Sequence, residues 1–213
     1  MKKIYLSFIL LSLCTIGITA QETKLNKEEQ CSELLKNPSF EEEAKPIRNR
    51  RFGPNGEGEL FGGYPPAGVI PGWIYPDGKR ELSTFEISTE GLLDTTQHKA
   101  LRWEITLATS TTPAAIANVG LHGIKVSEGN KYTLTFWARA DKKYKGKLFV
   151  GLQSKDDETW NAYSKVRGKI KKRWKKHTIT FTAKGNTPKA RFVMMGTKPG
   201  TIYLDCTSLT IAD

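Results

Sequence analysis

From Phe85 to Ile211 the chain runs largely in two-residue alternation, the period of a strand with one wet and one dry face. Phe85-Glu86-Ile87 and Leu101-Arg102-Trp103-Glu104-Ile105-Thr106-Leu107 alternate without a break. Tyr132 to Arg139 and Lys147 to Gln153 do so with one break each, and Trp174 to Phe181, Ala190 to Met195 and Ile202 to Ile211 follow. Glu128-Gly129-Asn130, Lys155-Asp156-Asp157 and Lys184-Gly185-Asn186 supply turn residues between them. A strand with one apolar face is stable only when that face is covered, so such segments must pair and then stack in two layers. Helix signals are scarce. Glu22 to Glu33 holds at most a turn or two and lacks a sustained apolar face. Roughly eight to ten short strands at this spacing predict an all-β fold, a jelly-roll β-sandwich.

The alternation fails in two places. Lys2 and Lys3 precede the mostly apolar stretch Ile4–Ile18, and Thr19-Ala20 stands before the polar Gln21. A basic start, an apolar run and a small residue predict a signal peptide over 1–20, cut after Ala20. A membrane span needs roughly 20 apolar residues, so the run is short for an anchor. Cys14 follows the bulky Leu13, which disfavours lipidation there. Residues 21–30 then form an N-terminal linker, and 31–213 one domain, secreted or periplasmic. The second departure is Glu43 to Gly72, with seven glycines and five of the ten prolines. Proline removes ladder donors, so this segment is a long loop. Its Phe52, Phe61 and Tyr64 are expected to pack part of it on the domain, and Trp73 and Tyr75 follow at its end, in the core or at a rim.

The whole chain of 213 residues carries a formal charge of +11. Removing Lys2 and Lys3 takes the 33 basic residues to 31 against 22 acidic, or +9. Lys169, Lys171, Lys172, Arg173, Lys175 and Lys176 concentrate much of the excess. With Trp174 inside it, this run could neutralise phosphate and stack on bases. An exported chain rarely meets nucleic acid, and a solvated basic edge that blocks edge pairing is the alternative. Nucleic acid and membrane are not expected partners, and a monomer is expected. Cys31 and Cys206 remain after cleavage, as a disulfide or as two buried thiols. A bridge would close a loop of nearly the whole domain, worth roughly 5 kcal/mol at most.

No catalytic motif stands in the text: there is no His-Glu-x-x-His, Gly-x-Ser-x-Gly, phosphate-cradling glycine loop or Cys-x-x-Cys. His98, His122 and His177 stand in separate segments and read as surface or edge residues. Nothing pairs Glu41, Glu42, Glu104 or Asp157 as the two carboxylates of glycoside cleavage. The chain is read as non-enzymatic. Strand phase instead suggests a binding surface. Tyr132, Leu134, Phe136 and Ala138 share one face; Thr133, Thr135, Trp137 and Arg139 share the other. Arg102 and Glu104 lie opposite Leu101, Trp103 and Ile105, while Phe149, Gly151 and Gln153 lie opposite Leu148, Val150 and Leu152. Arg102, Glu104, Trp137, Arg139, Gln153 and Arg191 are expected to form one polar face around a single aromatic, suited to the apolar side of a sugar ring and its hydroxyls. Trp137 with Arg139 is its expected centre. Trp160 and Tyr163 follow the Asp156-Asp157 turn, capping a hairpin or edging the cleft.

The order of motifs carries a resemblance. Asn-Pro-Ser-Phe-Glu-Glu at 37–42 comes first, then Gly72-Trp73 and Gln-His-Lys-Ala-Leu-Arg-Trp at 97–103. Gly-Asn-Lys-Tyr-Thr-Leu-Thr-Phe-Trp-Ala-Arg-Ala at 129–140, Lys-Lys-Arg-Trp-Lys-Lys-His-Thr-Ile-Thr-Phe at 171–181 and Ile-Tyr-Leu-Asp-Cys-Thr-Ser-Leu at 202–209 follow. This series resembles the family 4/9 carbohydrate-binding modules, over nearly all of the chain beyond residue 20. Its middle and end are similar to the module that leads family 51 α-L-arabinofuranosidases. The resemblance implies a galactose-binding-domain-like jelly roll and a polysaccharide or glycan partner, plant-type or arabinose-bearing. A second reading is the leading structural domain of a glycoside hydrolase whose catalytic domain is a partner; such a (β/α)₈ barrel alone takes about 250 residues. The resemblance also implies a structural calcium between first and last strands, with Glu41, a carbonyl of Lys99 and Asp205 as ligands, against ordinary surface carboxylates. Calcium wants about six to eight oxygens. Trp174 is expected to pack inward, as in the family.

Overall fold

A computed structural model describes residues 33–43, 70–76, 80–93, 98–156 and 158–212. The expected signal peptide, the linker 21–30, Cys31, Phe52, Phe61, Tyr64 and Asp157 lie outside the described residues. Eleven strands are described: β1 (Trp73–Ile74), β2 (Ser83–Ser88), β3 (Ala100–Ile105), β4 (Ala114–Asn118), β5 (Ile124–Val126), β6 (Lys131–Ala140), β7 (Leu148–Ser154), β8 (Trp160–Lys165), β9 (Lys175–Thr182), β10 (Thr187–Gly196) and β11 (Gly200–Ala212). Every pairing between them is antiparallel. One sheet has the order β1-β4-β10-β7-β8, with β5 also on β10; the other runs β2-β3-β11-β6-β9. A 3₁₀ turn, Arg80–Leu82, leads into β2, and no α-helix occurs among the described residues. The sandwich is the all-β architecture that the alternation requires.

The apolar phases of the two sheets face each other. On the five-stranded sheet, register sets Phe85 and Ile202 on either side of Trp103, and Tyr132 opposite Phe181. Leu148, Val150 and Leu152 of β7 meet them from the other layer with Ala190, Phe192 and Met194 of β10. Each large side chain taken fully out of water here contributes roughly 1.5–3 kcal/mol before the entropy cost of ordering it.

Four strands carry no clean alternation. β4, Ala-Ala-Ile-Ala-Asn, is buried at every position, so both of its faces are apolar and the period vanishes. β8 holds a register shift against β7 between Leu152 and Gln153, which breaks its phase. β1 and β5 are two and three residues long. Leu107, expected on an apolar strand face, is instead 66% exposed beyond the end of β3. The amides of Thr106 and Leu107 both donate to the Leu82 carbonyl, which turns the chain away. His177, expected at the surface, is buried and stacks on Phe136 at 5.2 Å, because β9 turns His177 and Phe181 inward together.

The two ends of the domain do lie side by side. The Leu34 amide donates to the Leu209 carbonyl and the Thr207 amide to the Pro38 carbonyl, both at 2.9 Å. Glu33 Oε1 accepts the Leu209 amide. Asn118, fully buried at the end of β4, clamps the same segment to the other sheet: its Nδ2 donates to the Lys36 carbonyl and its Oδ1 accepts the Lys36 amide. Trp73 Nε1 donates to the Asn37 carbonyl, and its ring lies 4.9 Å from that of Phe40. Asn37 (φ 50°) and Phe40 (φ 63°) adopt left-handed backbone to make this turn. Asparagine tolerates that region; phenylalanine does so at a cost its burial offsets.

Candidate functional site

The outer face of the six-stranded sheet carries an aromatic strip. The shift in β8 turns Trp160 and Tyr163, three residues apart, to the same side. Trp160 pairs opposite Gln153, Tyr163 opposite Gly151 and Lys165 opposite Phe149. The rings of Phe149 and Tyr163 are nearly parallel at 5.4 Å, and Trp160 meets Tyr163 at 5.0 Å with a tilt of 59°. Gly151 makes room for this, since a Cβ there would come within 2.9 Å of the Trp160 ring. Tyr163 is 49% exposed, and partial burial pushes its phenol pKa up. It stays a neutral hydroxyl that can donate or accept. Val193, Ala115, Ala117 and Ile74 continue this face as a second apolar cluster, against which Trp160 and Met195 pack.

A polar network flanks the strip. Arg191 Nε donates to Gln153 Oε1, an Arg191 Nη donates to Glu158 Oε1, and Gln153 Nε2 donates to the Glu158 carbonyl, at 2.9–3.0 Å. Arg191 is 1% exposed and the Glu158 side chain 57%. The guanidinium therefore supports from beneath, while the carboxylate is held at the surface with acceptor capacity to spare. Glu158, with its φ of 56°, gave no signal in the sequence. Phe149 was legible as an outward aromatic in the alternation of β7, without anything to tie it to Tyr163.

The expected single face around Trp137 does not form. Gln153 and Arg191 belong to the six-stranded sheet, whereas Arg102, Glu104, Trp137 and Arg139 belong to the five-stranded sheet, and the outer faces of a sandwich point apart. Strand phase tells inward from outward but not which layer a strand joins. On the five-stranded sheet Arg139 is taken up by the protein. Its guanidinium carbon lies 3.7 Å from the Tyr203 ring centroid and 5.4 Å from that of Trp174, and its Nε donates to the Gly91 carbonyl. Trp174, expected inward, stands just before β9 on this outer side, its Nε1 donating to the carbonyls of Gly91 and Leu92. Arg102 is paired with Glu86 at 3.0 Å and Glu104 at 2.6 Å. Trp137 is half-buried opposite Asp205 and Lys176.

Glu41, Lys99 and Asp205, the residues expected to hold calcium, are each engaged by groups of the protein itself. Glu41 Oε1 accepts the backbone amides of His98 and Lys99, each at 3.2 Å. Lys99 Nζ lies 2.9 Å from the Glu41 carbonyl oxygen and 3.6 Å from Glu43. The amide and ammonium of Lys99 thus set N–H donors and a positive charge against Glu41, where a cation would need oxygen ligands. Asp205 is fully buried and its Oδ1 accepts the Cys206 amide at 2.6 Å. Among the described residues no three His, Cys, Asp or Glu side chains group to hold a metal.

Comparison with known proteins places this geometry. No curated protein matches the chain. The arabinose-bound MgGH51 α-L-arabinofuranosidase superposes over 84% of this chain at 17% identity with a TM-score of 0.60. The chain spans only 26% of that enzyme's length. A solved CBM4 structure, 99% of it covered, superposes over 84% of the chain at 18% identity and a TM-score of 0.51. At such identities the likeness is one of fold, and both share this sandwich. Residues 32–200 match the CBM_4_9 family, a carbohydrate binding domain. The chain is a member of that family of carbohydrate-binding domains, a non-catalytic binding module.

Proposed function

We propose that the module takes its glycan on the outer face of the six-stranded sheet, with Tyr163 and Trp160 as stacking platforms and Phe149 fixing the Tyr163 ring. The observation that carries this reading is three contiguous aromatic rings on one outer sheet face beside an anchored, exposed carboxylate. A pyranose or furanose presents apolar C–H groups on its flat side, which the negative face of an aromatic ring attracts and shields from water. Glu158, oriented by Arg191, accepts a sugar hydroxyl, and the Tyr163 hydroxyl offers a second polar contact. The ligand is a polysaccharide of plant type, and the chain works outside the cytoplasm. Supporting the latter are the leader-like pattern of residues 1–20 and the location of such polymers. A mature protein beginning at Gln21 would agree with export; an intact Met1 would not.

The test is a glycan array with wild type, Tyr163→Ala, Trp160→Ala and Trp137→Ala. The reading requires that the first two variants lose binding while Trp137→Ala keeps it. Loss confined to Trp137→Ala would move the site to the other sheet.

A further inference from the structure

The basic excess gathers at one end of the sandwich. Three segments meet there: the Ala140 amide donates to the Lys171 carbonyl, the Val166 amide to the Leu148 carbonyl, and the Thr197 amide to the Lys147 carbonyl, at 2.8–3.2 Å. Residues 141–147 carry four lysines, 165–176 carry eight lysines and arginines, and Lys198 adds one, thirteen in all. Every one is exposed. The one acid in these segments, Asp141, has its carboxylate committed to the amides of Lys143 and Tyr144. Among the described residues none of the thirteen forms an ion pair. Protection of sheet edges accounts for Lys165 on β8 and for Lys175 and Lys176 on β9, both edge strands. It does not account for the lysines of the loops. Thirteen uncompensated like charges repel one another and raise the potential around that end by several kT.

The aromatic strip runs toward this end. It starts at Trp160 opposite Gln153, passes Tyr163 opposite Gly151, and finishes at Phe149 opposite Lys165. Lys147 lies two residues before Phe149, and Arg167 two residues after Lys165. A polymer laid along the strip leaves it over basic loops. We infer that the glycan is an anionic polysaccharide whose carboxylate or sulfate groups are held by the lysines and arginines of segments 141–147 and 165–176. This inference rests on the strip being the sugar platform. The charges act mainly on capture and on selection against neutral polymers, while stacking fixes the register of the sugar.

The test measures affinity of the full chain for polygalacturonate, its carboxyl-reduced neutral counterpart, chondroitin sulfate and duplex DNA. Salt is varied between about 20 and about 300 mM, across which the Debye length shrinks from roughly 20 to 6 Å. The proteins are wild type, the triple variant Lys169→Glu/Lys172→Glu/Arg173→Glu and Tyr163→Ala, each checked for a native thermal melt. At low salt an acidic polysaccharide should bind at least about tenfold tighter than the neutral one, and the triple variant should lose that preference. Chondroitin sulfate, which carries sulfate beside its own uronic carboxylates, tells whether sulfate adds to what polygalacturonate binds. Neutral and acidic polymers bound alike, no binding to either acid, or a triple variant that keeps the preference would overturn the inference. If Tyr163→Ala still weakens whatever glycan is bound, the platform itself stands. DNA bound as tightly as the acidic glycans, with no effect of Tyr163→Ala, would overturn both.

Discussion

The two outer faces of the sandwich are built from the same alternation yet differ in what their polar residues do. On the five-stranded sheet the arginines are engaged by carboxylates, rings and backbone of the protein itself. Arg102 lies between Glu86 and Glu104, and Arg139 lies over Tyr203 and beside Trp174 with its Nε on a backbone carbonyl. On the six-stranded sheet the arginine is buried, and what it holds at the surface is a carboxylate beside the exposed Tyr163 and the half-buried Trp160. A surface whose donors and acceptors already satisfy each other has little left for a ligand. One that orders an exposed group by a buried partner is prepared for one, because the entropy of positioning that group is already spent in folding.

The sharpest way to break this contrast is at the two arginines. Arg191→Ala should cost about 3 kcal/mol of stability, since it strips Gln153 and Glu158 of a buried partner. Arg139→Ala should cost about 1 kcal/mol, the order of a partly exposed cation–π contact with one hydrogen bond. Equal costs in urea unfolding would remove the distinction. Next come the rings. Tyr163→Ala should weaken glycan binding by roughly 10- to 100-fold, about 1–3 kcal/mol of the kind measured for aromatic platforms, with Trp137→Ala changing it less than about twofold.

Two smaller effects sharpen the picture away from those faces. Lys99→Met should lower stability by about 1 kcal/mol, while adding EDTA or calcium leaves the melting temperature of wild type unchanged. A melt that falls by several degrees in EDTA would restore the calcium cage at Glu41 and Asp205. The smallest concerns His177, whose pKa is lowered by burial and then by the charge of Lys175. A depressed imidazole favours the neutral folded form, so its contribution is present above the ordinary value near 6.5 and is lost as pH falls toward the lower folded value. Thermal melts between pH 7 and pH 5 should show a shallower decline for His177→Phe than for wild type; identical slopes would reject this.

Much of this was legible in the chain. Leu101, Trp103 and Ile105 announce their burial by spacing, and Asn37-Pro38 followed by Phe40 marks the turn that brings residues 33–40 against β11. Illegible were the strands without a period: β4 because both its faces are covered, and β8 because a bulge lets Trp160 and Tyr163 share a side three residues apart. The resemblance brought Lys99 and Glu41 together, but not the way they meet, across 58 residues through backbone amides and an ammonium.

What the sequence by itself determined is the period-two pattern, and with it an all-β fold, the inward set of residues and the excess of positive charge, all of them properties of neighbours along the chain. Only the tertiary structure decided which layer each strand joined. It therefore decided that Gln153 and Arg191 stand with Trp160 and Tyr163, apart from Trp137, and that three separate basic segments share one end. The reason is that parity along a strand fixes a side chain's face relative to its own sheet, whereas sheet order is set by long-range pairing that no local pattern encodes.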